Sequence, residues 1–252
     1  MAIQLSERDN LIFRFIDEHQ VLLEKHIAWF ISCDDKPVLI RDRLRKLFYL
    51  DYLLCERHGG KLPWWTTPTK PLVYMLSPMS RQLAKAGEIK SDLNNAEIQR
   101  HLLEVANLRM LYLMDQKEQI ISALEWTTIR KDDTTIMGID AVVNFKRDGA
   151  MQRIGIMNHP AVSADLAAVM HKAMSDNKLD GIWVVSRDDA HQSQLQKSLV
   201  SSAVAAKLCF TTHQEVYKSG ICKAKWQPAA TTAANVEIML PWSTNLSPAQ
   251  AF

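Results

Sequence analysis

The sequence predicts an α+β protein in two parts, a small helical part with a β-hairpin and a larger α/β part. Apolar residues at helical spacing dominate the first 50 positions, and two strand-like runs follow at 50–56 and 73–76. Farther along, three strand-like runs precede an alternation of strands and helices, a pattern typical of an α/β sandwich. A chain of 252 residues is also long enough for two hydrophobic cores.

Three helices are predicted at the start of the chain. Ser6, with Asp9 three residues later, is a candidate N-cap for a helix over 7–19, and a second helix fits 24–31. Pro37 suits the first position of a third helix. The apolar stripe predicted for this third helix contains Ile40, Leu44, Leu47 and Phe48.

Positive charge is concentrated between 36 and 90, where eleven Lys and Arg outnumber four Asp and Glu, although the whole chain carries only +2. Three helices and a hairpin with this charge predict a winged helix-turn-helix domain over 1–92 that binds the phosphate backbone of double-stranded DNA. A solvated helix face is the alternative interpretation of the third helix taken alone. The residues expected to contact DNA are Lys36, Arg41, Arg43, Arg45, Lys46, Tyr49, Arg57, His58 and Lys61.

The second predicted domain covers 93–227. It opens with a long amphipathic helix over 94–119, which could link the domains, form a dimer surface or begin the second domain. Strand-like runs follow at 120–129, 138–146, 152–158, 181–186 and 207–211, and helical runs at 163–176 and 191–202. The remaining tail, 228–252, has little pattern.

Composition and spacing argue against several classes of protein. No apolar run approaches the roughly 20 residues that span a bilayer, and the first residues lack the features of a signal peptide. No glycine-rich phosphate loop occurs, and His159 and His191 lack a neighbouring nucleophile. The four cysteines are isolated from one another: Cys33, Cys55, Cys209 and Cys222. We therefore expect a cytoplasmic protein that requires no metal cofactor.

Several short runs occur in an order typical of one protein family. In the first part they are 5–9 (LSERD), 43–47 (RLRKL) and 73–78 (VYMLSP). In the second part they are His101, 138–143 (GIDAVV), the Asp148-Gly149 turn and 154–158 (IGIMN). Together they resemble the replication-relaxation family of plasmid proteins, which includes the MobC-type mobilisation proteins. The resemblance covers about 5–217. It implies a winged helix-turn-helix followed by a restriction-endonuclease-like domain related to the PD-(D/E)XK nucleases.

The nuclease site that this resemblance implies is incomplete. Asp140 fits the carboxylate of the first core strand, but Gly155 and Met157 stand where the next strand would carry its own acidic or lysine side chains. Neither residue can bind Mg²⁺ or polarise water. Glu125, on the preceding strand, is the remaining candidate ligand. The sequence therefore predicts a nuclease-like domain without catalytic residues, in which Asp140 is a buried carboxylate that caps a loop.

Three functions stay open at this point. The favoured one is a homodimeric, sequence-specific DNA-binding protein, either a transcription regulator or an accessory factor in plasmid replication, conjugation or mobilisation. The alternative is a Mg²⁺-dependent DNA-nicking enzyme of the MobC type that uses Asp140 and Glu125 with Asp148 or Asp165. A third is a protein-interaction module whose second domain and tail (236–252) bind transfer, replication or transcription machinery. The first and third functions are compatible.

Overall fold

The computed structural model describes residues 4–33, 37–86, 92–118, 125–130, 138–147 and 150–229. These residues form two compact units. The first contains the described residues up to Met114, together with Arg130, and the second contains those from Asp115 to Ile129 and from Gly138 to Ala229. The division therefore falls inside a long helix and not at residue 92. The predicted α+β class is confirmed.

The first unit combines short helices with one small antiparallel sheet. Its elements are α1 (Glu7–His19), β1 (Leu22–Leu23), α2 (Glu24–Ser32), α3 (Pro37–Tyr49), β2 (Leu53–Arg57), β3 (Leu72–Leu76), α4 (Pro78–Leu83) and most of α5 (Ala96–Lys117). The strands lie in the order β1-β3-β2, with Leu22 opposite Tyr74 and Leu53 opposite Leu76. The predicted first helix is confirmed at both ends, whereas β1 was not predicted because two residues show no periodicity.

Helix α1 begins where the sequence places its cap. The backbone N–H of Ser6 donates to the Asp9 carboxylate at 2.7 Å, and the backbone N–H of Asp9 donates to the Ser6 hydroxyl at 3.4 Å. This reciprocal capping satisfies groups at the start of the helix. The inner face of α1 then packs with that of α3 in one apolar core. Its buried members from these two helices are Ile12, Phe13, Ile16, Ile40, Leu44 and Leu47.

The second unit is built on a six-stranded mixed sheet. Its strands are β4 (Glu125–Thr128), β5 (Ala141–Arg147), β6 (Ala150–Asn158), β7 (Gly181–Ser186), β8 (Leu208–Thr212) and β9 (Gln227–Pro228), and they lie in sequence order. The first three strands are antiparallel, β6, β7 and β8 are parallel, and β9 runs antiparallel to β8. The helices are α6 (Leu166–Asn177), α7 (Asp189–Leu199) and α8 (His213–Ser219).

Strands β7 and β8 are buried along their whole lengths, which is typical of parallel strands covered on both faces. The predicted strand over 181–186 is confirmed, and the one over 207–211 lies one residue later in the chain. Helix α8 was not predicted. The hydroxyl of Thr212 caps it by accepting the N–H of Glu215 at 3.2 Å. The predicted turn at Asp148-Gly149 and the tail beyond Ala229 lie outside the described residues.

Within these ranges, no helix combines the length and the apolar character that crossing a bilayer requires.

Candidate nucleic-acid interface

Helix α3 turns a polar, cationic face to solvent. Arg45 and Lys46 are exposed, and no carboxylate of the described residues pairs with either side chain. Tyr49, 74% exposed, extends this face by one turn. Phe48, which the sequence predicts to face inward, is instead 40% exposed and contacts the Tyr49 ring at 5.7 Å between centroids. An exposed face with unpaired cations and two aromatic rings is suited to phosphates and to the edges of bases.

Two other cations of α3 have intramolecular partners. Arg41 binds the Glu24 carboxylate, with its Nη2 atom 2.9 Å from Oε1, and remains exposed. Arg43 binds the buried carboxylate of Asp9 through Nε at 2.6 Å and through Nη2. The prediction that Arg43 contacts DNA is corrected here, because its guanidinium group holds a buried acid inside the unit. Lys36 lies outside the described residues.

Two exposed cations and a buried histidine lie at the end of β2 and in the turn after it. Arg57 is exposed and donates to the Lys70 carbonyl at 3.2 Å, and Lys61 is exposed as well. His58, predicted to contact DNA, is fully buried, and its Nδ1 atom lies 2.9 Å from Oε1 of Gln99. This part of the prediction is wrong, because a ring enclosed in this way cannot reach a phosphate.

The carboxylates of the alternative nuclease site do not come together. Asp140 is buried and accepts the backbone N–H of Asn158 at 2.6 Å, so it caps the end of β6. The backbone N–H of Ile129 donates to the Asp140 carbonyl at 2.8 Å, which places Asp140 next to Ile129 at one end of the β4–β5 ladder. Glu125 lies opposite Asn144, farther along the same ladder. Four residues of strand separate the two positions, about 13 Å at the usual rise per residue. They cannot share one metal ion, since metal–oxygen bonds are about 2.0–2.6 Å long.

Gly155 and Met157, the two β6 positions at which the resemblance implies acidic or lysine side chains, lie in an apolar environment. Met157 is fully buried in the core cluster that contains Ile139 and Leu179. A Cβ atom at Gly155 would lie 2.7 Å from the terminal methyl groups of the same two side chains. A side chain that binds a metal ion would have to enter this apolar core. Asp165 is exposed just before α6, and Asp148 lies outside the described residues.

A histidine cluster stands at the carboxyl ends of the parallel strands. The rings of His159 and His213 are 5.2 Å apart, and those of His159 and His191 are 6.3 Å apart. Nε2 of His213 lies 2.7 Å from Oδ1 of Asn158, and Nε2 of His191 lies 3.1 Å from the Pro160 carbonyl. Neither His213 nor Asn158 was predicted as a site residue. Their signal is that each lies at or just beyond the carboxyl end of a buried parallel strand, where α/β sheets place polar groups.

Comparison of the sequence with protein-family models gives no match, and comparison with curated proteins gives none either. The resemblance to the replication-relaxation family therefore stays a prediction based on the short runs described above.

Proposed function

We propose that the first unit binds double-stranded DNA through the exposed face of α3 and the turn after β2. The observation that carries this proposal is the pair of exposed, unpaired cations, Arg45 and Lys46, on one helix face beside Tyr49. Cations of this kind bind phosphates and release the counterions that surround DNA. The aromatic side chain adds a planar surface and a hydroxyl that can donate to a phosphate or a base.

The topology of the unit supports the same proposal. Its element order, α1-β1-α2-α3-β2-β3, and its sheet order, β1-β3-β2, are compatible with the winged helix-turn-helix that we propose for this unit. In that arrangement α3 is the recognition helix and the β2–β3 connection is the wing. Arg57 and Lys61 then stand on the wing, where positive charge meets the backbone beside the groove that the helix enters. The biological role we propose is that of a transcription regulator or an accessory factor in plasmid replication or transfer.

The test compares two double variants with the same loss of charge. Arg45→Ala with Lys46→Ala removes cations from the proposed face, and Arg8→Ala with Arg14→Ala removes two exposed cations from α1. Genomic and plasmid fragments captured by the purified protein would identify a duplex, and fluorescence anisotropy would measure its affinity at several salt concentrations.

We expect the α3 variant to bind at least about tenfold more weakly and to reduce the slope of log K against log salt by about 2. The α1 variant should change little. Equal losses in both variants would mean that only overall charge matters, and this would contradict the assignment of the face.

The DNA-nicking alternative has less support from the geometry. It needs at least two oxygen ligands around one metal ion, whereas Asp140 and Glu125 are separated along the β4–β5 ladder. Incubation of supercoiled plasmid with the protein and Mg²⁺ or Mn²⁺ should leave the plasmid intact. Nicking that is lost in Asp140→Ala would establish the alternative.

A further inference from the structure

A groove of about 590 Å³ lies between the start of α2, helix α3 and the β2–β3 hairpin. Its volume is within the range, about 300–1,000 Å³, that is usual for small-molecule sites. It belongs entirely to the first unit, and Arg45, Lys46 and Tyr49 are not among the residues that line it. Its lining includes four cations and two large apolar side chains: Lys25, Arg41, Arg57, Lys70, Trp65 and Leu72.

The groove is electropositive. Four cations line it, and the one carboxylate among its lining residues, Glu24, is already bound to Arg41. Lys25, Lys70 and Arg57 therefore have no acidic partner among the described residues. The Lys70 carbonyl accepts from Nη1 of Arg57 at 3.2 Å, which orients that guanidinium group and leaves its other N–H groups for a ligand. Such a set favours an anion with several oxygen acceptors.

One wall of the groove is apolar and holds an aromatic ring. The indole N–H of Trp65 donates to the Thr69 carbonyl at 2.7 Å, and its half-buried ring packs against the cluster that contains Leu62 and Val73. Leu72 is 41% exposed, and it stands directly opposite Arg57 in the β2–β3 ladder. An exposed leucine beside a fixed tryptophan offers a surface for a planar apolar group next to the cations.

We propose that this groove binds a nucleoside phosphate, with its base against Trp65 and Leu72 and its phosphate at Arg57, Lys25 and Lys70. The pairing of an aromatic wall with cations is the chemistry by which proteins bind unpaired nucleotides. The ligand has two possible sources, a free nucleotide or an unpaired nucleotide at the end of a DNA strand. The proposal goes beyond duplex binding and does not rest on it, because most of the side chains involved are different.

The experiment uses the full chain and two kinds of probe. The first is a fluorescently labelled AMP or ATP, followed by anisotropy. The second is a labelled blunt 20-base-pair duplex, compared with the same duplex carrying a three-nucleotide single-stranded tail. The variants are Trp65→Ala and Arg57→Ala, with Trp65→Phe as the matched variant that keeps an aromatic ring, and Arg14→Ala as the charge control on α1. Thermal unfolding by circular dichroism checks that each variant folds.

Trp65→Ala and Arg57→Ala should each weaken binding of the free nucleotide or of the tail by about tenfold. Trp65→Phe and Arg14→Ala should stay within about threefold of the unchanged chain. Binding of the labelled nucleotide identifies a free nucleotide as ligand, and a gain for the tailed duplex alone identifies a strand end.

No binding of either probe overturns the proposal. The proposal is also overturned if inorganic phosphate displaces the labelled nucleotide as well as unlabelled nucleotide does and Trp65→Ala leaves binding unchanged. That result would indicate an anion site that does not recognise the base. The Arg45→Ala, Lys46→Ala variant separates the two functions, because it should lose the blunt duplex and retain the nucleotide.

Discussion

At the scale of single residues, Asp9 links two helices of the first unit. It completes the cap of α1 with Ser6 and binds Arg43 of α3, whose Nε atom lies 2.6 Å from Oδ1. Burial by itself raises the pKa of Asp9, but the hydrogen bonds from Arg43 and Ser6 and the charge of Arg43 together lower the pKa below its ordinary value. Arg43 therefore stabilises the fold instead of offering its charge to DNA.

We predict that Arg43→Ala lowers the free energy of unfolding by about 3 kcal/mol at pH 7, because it leaves a buried carboxylate without its partner. A group whose pKa is lowered by folding stabilises the protein above its unfolded pKa and loses that effect as the pH falls. The difference between the unchanged chain and the variant should thus shrink below about pH 4. Urea unfolding at pH 7 and pH 3, followed by circular dichroism, measures both effects.

The control for this prediction is Arg45→Ala, two positions along the same helix. Its side chain is exposed, so its removal should change the free energy of unfolding by no more than about 0.5 kcal/mol. A loss as large as that of Arg43→Ala would show that truncating any arginine of α3 destabilises the unit, and that the ion pair with Asp9 does not account for the effect.

At the scale of elements, strand β6 decides whether the second unit can carry metal chemistry. Gly155 and Met157 lie on the same face of β6, where the side chains of Ile139 and Leu179 fill the space beside Gly155 and belong to the same apolar cluster as Met157. The side chain of Met157 is fully buried. A lysine or carboxylate at either position would enter this core without a partner, which is among the costliest substitutions in a protein.

We predict that Met157→Lys lowers the free energy of unfolding by more than about 3 kcal/mol. Met157→Leu conserves volume and apolar character, so it should cost less than about 1.5 kcal/mol. Thermal and urea unfolding of the two variants would give the comparison. If the lysine variant were as stable as the leucine variant, Met157 would have to face water in solution, and a site on β6 would regain support.

Sequence patterns predicted the elements that have strong local signals. Helix α1 has both a cap and a regular apolar stripe, and strand β7 is an uninterrupted apolar run, so both were placed correctly. Phe48 was misplaced because it lies at the margin of the stripe of α3, where a small rotation exposes a side chain. Helix α8 has only seven residues, too few for a pattern to emerge.

The candidate site was less predictable, because it depends on contacts between distant residues. A histidine just before two turn-forming glycines would ordinarily be exposed, but Gln99, 41 positions later, covers His58 and holds its ring. The ion pair between Arg43 and Asp9 spans 34 positions and turns a candidate DNA contact into a structural residue. The exposure of Arg45 and Lys46 could be predicted from the local sequence alone, because it follows from their position opposite the apolar stripe of α3.

At the scale of the whole molecule, charge and burial restrict where partners can bind. The chain carries a net charge of only +2, so attraction to DNA depends on where the cations stand and not on their total. Helix α5 presents no fully exposed apolar side chain to a second copy, because Glu97 and Lys117 are its only exposed residues between Ala96 and Lys117. The homodimer that we predict would therefore use another surface.

We predict that a chain ending at Ala229 binds its duplex within about twofold of the full chain, because Arg45, Lys46 and Lys61 all belong to the first unit. Fluorescence anisotropy would measure the affinity, and light scattering after size-exclusion chromatography would give the number of protomers on the DNA. A dimer places two recognition helices about 34 Å apart on neighbouring half-sites. If the tail makes that dimer, the shortened chain would instead be monomeric and would lose most of its affinity, since one half-site alone provides only half of the contacts.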